Sequence, residues 1–105
     1  MNRNEALLLQ VAEEAAEVAQ AASKCIRFGP THTWPTRKGQ AGDRLYQEFL
    51  ECVALIEMCQ DEGIIPRVIG AARIIIGAEY REIIDAKKTR VEHFLTISQE
   101  LGTVQ

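Results

Sequence analysis

Histidine, tryptophan and proline are scarce in this 105-residue chain, and long apolar runs and a basic excess are missing altogether. Each shortage removes a class of function. The two histidines, His32 and His93, are far apart and have no cysteine at ligand spacing, so a zinc site is not expected. No Glu-x-x-His pair is present, which disfavours a di-iron carboxylate bundle. The three cysteines, Cys25, Cys52 and Cys59, are odd in number and form no Cys-x-x-Cys pair. They read as buried free thiols acting as small hydrophobes. No stretch approaches the roughly 18 consecutive apolar residues of a membrane span. Met1 to Glu5 lacks the basic-then-apolar order of a secretory signal, so a cytoplasmic protein with no membrane partner is expected. Twelve basic residues against fifteen acidic ones give a formal charge of −3, which does not suggest a binder of nucleic acid.

What is present is an ordinary globular composition, 47% apolar and 26% charged, on a length that suits one domain over residues 1–105. Its periodicity is helical. Over residues 4–28, Leu8, Val11, Ala15, Val18, Ala22 and Cys25 recur at three- and four-residue steps, with Asn4 as the expected N-cap and Gly29-Pro30 as the stop. Residues 29–42 are dense in Gly and Pro and read as a loop longer than most helix–helix connections. A second helix is expected from an N-cap at Asp43 to about residues 60–62, stopped by Gly63. From Leu45 to Cys59, eleven of fifteen residues are apolar, so this helix demands cover on more than one side. One short chain can scarcely supply it, and a homodimer or homotetramer with a four-helix core is expected. Residues 64–77 are rich in β-branched side chains and lean towards a helix weakened at Gly70 and Gly77. A last helix over 78–101 carries Ile83, Ile84, Val91, Phe94, Leu95 and Ile97 on its apolar side and ends at Gly102. The fold class is all-α.

Four carboxylates carry the chemical signal. Glu14 and Glu17 are three apart on the first helix, and Glu48 and Glu51 are three apart on the second. At 3.6 residues per turn each pair lies about 60° apart in azimuth on successive turns. Two such helices packed antiparallel would gather four acids, which repel one another unless a cation joins them. Glu-x-x-Glu is common on solvated faces, but Glu48 and Glu51 interrupt a helix that is otherwise almost wholly apolar. An all-oxygen donor set favours Mg²⁺, or Mn²⁺, over zinc.

Glu13-Glu14-Ala15-Ala16-Glu17, then about thirty residues, then Glu48-Phe49-Leu50-Glu51, resembles the EExxE…ExxD signature of the MazG-like all-α nucleoside triphosphate pyrophosphohydrolases. The stretch LLLQVAEEAAEVAQAASKCIRFG is similar to that family's first metal helix, LIEMCQDEGII follows the second acidic pair as in the family, and AKKTRVEHFL resembles its basic closing helix. Two departures stand out. Glu51 occupies a position where the family usually has aspartate, and 64–77 has no counterpart.

The resemblance implies a four-helix bundle formed on oligomerisation and a Mg²⁺-dependent hydrolysis of a (d)NTP to (d)NMP and pyrophosphate. Glu14, Glu17, Glu48 and Glu51 would be the metal ligands, and Glu13 would support them from behind or act as base, unless it is a solvated surface acid. Cations are needed for the phosphate charge the metal leaves uncovered. Lys87, Lys88 and Arg90 on the last helix and Arg37 and Lys38 in the loop are the candidates. Trp34 either stacks on the base or pins its own loop. Lys24 and Arg27 sit where a helix dipole favours cations and are left unassigned. A phosphoribosyl-ATP or dUTP-type substrate, or a helical interaction module without turnover, are the alternatives.

Overall fold

The computed structural model describes residues 1–66 and 81–104. They hold three helices, α1 (Arg3–Phe28), α2 (Ala41–Asp61) and α3 (Arg81–Glu100), and no strand. The chain divides into two units, Met1–Arg67, which contains α1 and α2, and Val68–Gln105, which contains α3. Most of the helix expected over 64–77 lies outside the described residues, as do residues 78–80.

In the first unit α1 and α2 form an antiparallel pair. At one end Arg3, at the start of α1, meets Glu62, just past α2, through paired hydrogen bonds of 2.8 and 2.9 Å. At the other end the 29–40 loop closes on itself: Ala41 N–H donates to His32 O at 2.9 Å and Gly42 N–H to Pro30 O at 2.7 Å. A Cβ at Gly42 would sit 3.2 Å from that same carbonyl, so the close turn from loop into helix is built around a residue without a side chain.

Both helix starts lie earlier than the sequence reading placed them. The N-cap of α1 is Asn2, not Asn4: its Oδ1 accepts from Glu5 N–H at 2.8 Å, and its Nδ2 donates to Glu5 Oε1 at 3.1 Å. For α2 the N-cap is Gln40, and Asp43 is the third helical residue, reaching back so that Oδ2 accepts from Gln40 N–H at 2.8 Å. Several polar residues near each start compete for the cap, and composition alone does not rank them. Asn2→Ala is expected to lower stability by about 1 kcal/mol, read as a lower urea midpoint at unchanged slope.

The stops were legible. Gly29 N–H donates to Cys25 O at 3.0 Å. After α2, Ile64 N–H reaches Cys59 O at 2.8 Å and Gly63 N–H reaches Gln60 O at 3.1 Å, with Gly63 at φ +75°. This is a Schellman closure, which places its glycine in a backbone region costly for any other residue. The same bonds recur at Gly102.

The buried seam is where the structure departs most from the expected stripe. On α1 the seam positions are Leu7, Val11, Glu14, Val18, Ala21 and Cys25, and on α2 they are Ala41, Leu45, Glu48, Cys52, Leu55 and Cys59, all buried or half-buried, with Val53 buried beside the α2 set. Both sets alternate steps of four and three, the spacing of a two-helix seam. Leu8, expected inside, is 44% exposed, and Leu7 is buried in its place. The expected stripe stepped around Glu14; the actual seam runs through it, and through Glu48. Of the three thiols, Cys59 is fully buried while Cys25 and Cys52 are half-buried. Burial, with a smaller contribution from the charge of Glu14, pushes the Cys52 thiol above its ordinary pKa, which favours the neutral thiol.

The apolar side of α3 is largely uncovered: Val91, Phe94, Leu95 and Ile97 are exposed. No described helix is long and apolar enough to cross a membrane.

The Arg3 guanidinium holds the Glu62 carboxyl below the usual glutamate range, chiefly through its hydrogen bonds. A depressed carboxylate pKa adds stability that is present above the unfolded value and is lost as pH falls through the folded value. Arg3→Ala is therefore expected to lower stability slightly across the neutral range and leave it unchanged well below about pH 4, so the acid limb of the profile flattens; the loss is small because both groups face solvent. Thermal melts across an acid pH series would measure it.

Candidate metal centre

Glu14 and Glu48 occupy the middle of the two facing seams, and Glu17 and Glu51 flank them one turn on. Because the helices run antiparallel, the two Glu-x-x-Glu pairs converge instead of diverging. One carboxylate oxygen from each of Glu14, Glu17, Glu48 and Glu51 lies within 4.8 Å of the others. Opposite oxygens around a six-coordinate Mg²⁺ stand about 4.2 Å apart, and around Ca²⁺ about 5 Å, so the set has the dimensions of a hard-cation shell.

Burial makes the cluster more than a surface concentration of acids. Glu48 is 2% exposed, and Glu48 Oε2 and Glu14 Oε2 are both buried without a hydrogen-bond partner. A carboxylate oxygen withdrawn from water with nothing to accept from is costly, and a cation bound between the two would remove that cost. Glu17 and Glu51 remain exposed, which keeps one side of the cluster open to water and ligand. Glu51 accepts a long hydrogen bond, 3.3 Å, from Gln47 Nε2. The donor set fits Mg²⁺ or Mn²⁺.

Glu13, by contrast, is exposed on α1 outside this cluster. Successive helix residues point about 100° apart, so a seam that takes in Glu14 turns its neighbour away.

Cations gather beside the acids. A cleft of about 180 Å³ is lined by Glu17, Gln20, Ala21, Lys24, Arg37, Arg44 and Glu48. A second, of about 290 Å³, is lined by Trp34, Lys38, Gly39, Gln40, Asp43 and Gln47 and shares Arg37 and Arg44 with the first. The loop residues singled out from sequence, Trp34, Arg37 and Lys38, therefore line one cleft together, and Arg37 also lines the acidic one. Trp34 also pins its loop, with its ring 4.7 Å from His32 and 6.0 Å from Phe28, edge-on to each. His32 in turn stacks on Phe28 at 5.2 Å. The other candidate cations, Lys87, Lys88 and Arg90, are exposed on α3 in the second unit.

Two residues of the site went unassigned in the sequence. Lys24 lies seven residues, two helical turns, beyond Glu17, so both reach the same cleft. Arg44 lies one turn before Glu48 and forms an ion pair with it, Nη2 to Oε1 at 2.5 Å. Both spacings are visible in the sequence, but the dipole of α1 is a sufficient local reason for Lys24, and an i,i+4 Arg–Glu pair is common on helix surfaces.

No family model, curated protein or solved structure matches the chain. The functional reading therefore rests on the site itself.

Proposed function

We propose that this chain is a Mg²⁺-dependent nucleotide pyrophosphohydrolase of the MazG-like type, converting a (d)NTP to (d)NMP and pyrophosphate. The observation that carries the reading is the pair of buried, unpartnered oxygens of Glu14 and Glu48 inside a four-carboxylate set that opens onto a cation-lined cleft. A structural salt-bridge network would have given those oxygens donors.

In this reading Glu14, Glu17, Glu48 and Glu51 hold the metal, with Mn²⁺ as a substitute. When bound, Mg²⁺ supplies Lewis acidity towards the triphosphate oxygens and acidifies a water for attack. The chain's own cations do the rest of the electrostatic work: Lys24, Arg37 and Arg44 neutralise phosphate charge beside the cluster, and Lys38 extends that field at the outer cleft. Trp34 offers an aromatic face and Asp43 and Gln47 polar groups to the nucleoside end. Glu13 serves as a solvated surface acid. A house-cleaning role in the nucleotide pool suits a site built around phosphates.

The deciding experiment is pyrophosphate release from a broad (d)NTP panel, with phosphoribosyl-ATP and dUTP included, with and without Mg²⁺. Magnesium-dependent release from any member supports the reading, and the preferred member names the substrate. No release from any nucleotide, together with no magnesium-dependent rise in Tm, leaves a non-catalytic helical module. Trp34 is the one tryptophan and reports its own environment. Its fluorescence is expected to be quenched by the preferred nucleotide and not by inorganic triphosphate. Trp34→Ala is expected to raise KM about tenfold, the loss of one base–aromatic stack, with a smaller change in kcat.

A further inference from the structure

Arg44 pairs with Glu48 and also lines the region where a triphosphate would lie in the reading above. Its guanidinium is paired with Glu48 Oε1, so it occupies an oxygen of the acid cluster from within the same helix. The Glu48 side chain is 3% exposed and that of Arg44 is 41% exposed. The carboxylate is thus enclosed, while the guanidinium stands at the mouth of the cleft with solvent beside it. Arg44 also lines both cleft lobes, the acidic one that includes Glu17 and Glu48 and the outer one that includes Trp34 and Lys38.

We infer that Arg44 is a nucleotide-positioning residue that changes partners, pairing with Glu48 before the divalent cation enters and turning to the triphosphate once that cation has taken the carboxylate. The inference rests on the metal-site reading above. Its physical basis is competition between cations. A divalent ion among the four glutamates repels the guanidinium and takes over its share of Glu48, and the displaced group needs a new anion. A phosphate oxygen in the shared region between the two lobes would accept from the guanidinium the charge-assisted contact that Glu48 Oε1 now receives. Half-exposure gives the side chain room to turn, and four rotatable bonds in its stem let it do so without moving α2. The exchange also orders the reaction: until metal is present the phosphate-binding cation is engaged elsewhere, so a metal-free triphosphate meets a weakened site.

Arg44→Gln separates the possibilities. If Arg44 competes with the metal, its removal tightens binding of Mn²⁺ alone, by about tenfold, the equivalent of one charge-assisted hydrogen bond no longer broken. A residue that merely holds Glu48 in place predicts the opposite sign, weaker Mn²⁺ binding. Titration calorimetry with Mn²⁺ reads this without any turnover. The Mn²⁺-loaded Arg44→Gln protein is then expected to bind inorganic triphosphate about tenfold more weakly than wild type, and Arg44→Lys, which keeps the charge, to recover part of that loss.

Equal or weaker Mn²⁺ binding by the folded Arg44→Gln protein overturns the exchange. So does tighter Mn²⁺ binding with unchanged triphosphate affinity. Absence of Mn²⁺ binding by wild type overturns the metal site itself, a distinct result. Should Arg44→Gln fail to fold, wild type supplies the measurement. The Arg44 guanidinium resonances, protected by Glu48, are expected to lose protection on addition of Mg²⁺ and regain it with inorganic triphosphate. Protection that Mg²⁺ leaves untouched overturns the proposal.

Discussion

Glutamine at Glu14, Glu17, Glu48 or Glu51 is expected to reduce pyrophosphate release by about 10³-fold or more, because the bound metal contributes several kcal/mol to the transition state. Each change removes a charged ligand while nearly preserving shape. The accompanying stability change is the discriminating observation. Without metal, Glu14→Gln, Glu17→Gln and Glu51→Gln relieve like-charge crowding among oxygens that lie within 4.8 Å, so the apo Tm is expected to stay level or rise. Glu48→Gln also releases Arg44, whose side chain is 41% exposed and can take solvent instead, so its Tm is expected to stay close to wild type. Magnesium should raise the Tm of wild type and of none of the four mutants by the same margin. Glu57→Gln, on α2 but outside the cluster, is the control and is expected to retain most activity. Four mutants that lose stability and keep activity per folded molecule would show that the acids brace the helix pair and hold no metal.

Phe49→Asp is expected to disperse the protein to monomers without unfolding it. The second helix is apolar on more sides than α1 can cover: Tyr46 is 62% exposed, Phe49 40% and Met58 41%, with Tyr46 and Phe49 rings 6.3 Å apart. We propose that Tyr46 and Phe49 belong to an association surface whose partner is a second copy of the chain, the partner that a four-helix bundle would require. A carboxylate introduced at the centre of such an interface costs several kcal/mol when left unpaired, enough to move a micromolar dimer to monomers. Leu55 and Ile56 are half-buried within the chain, so a charge there is expected to unfold it instead. Light scattering coupled to size exclusion reads the first result and circular dichroism the second. A wild-type protein that runs as a stable monomer at micromolar concentration would overturn the expected homo-oligomeric four-helix core.

Glycine stops, the long Gly- and Pro-rich loop, the all-helical class and the four glutamates were all legible in the residues, because each depends on local chemistry or on spacing within one helix. Glu14 and Glu17 fall on adjacent turns wherever the helix packs. Spacing does not say which face packs, and here a general rule misled. Hydrophobic periodicity assigns glutamate to solvent, so it places the stripe through Leu8 and Ala15, one residue beyond Leu7 and Glu14. The same preference hid the fact that Glu48 alternates with Leu45 and Cys52 on a single seam.

Sequence by itself determined the helical stretches of the described residues, their glycine stops and the acid pairs, since these depend on backbone hydrogen bonding over four or five residues. Only the tertiary structure decided that the two pairs meet, that two of their oxygens lie buried without donors, and that Arg37 and Arg44 stand between the acids and Trp34. Those facts depend on the antiparallel register of α1 against α2, which is set by packing along the whole seam and by closures such as Arg3 with Glu62 and Gly42 with Pro30, contacts between residues far apart in the chain.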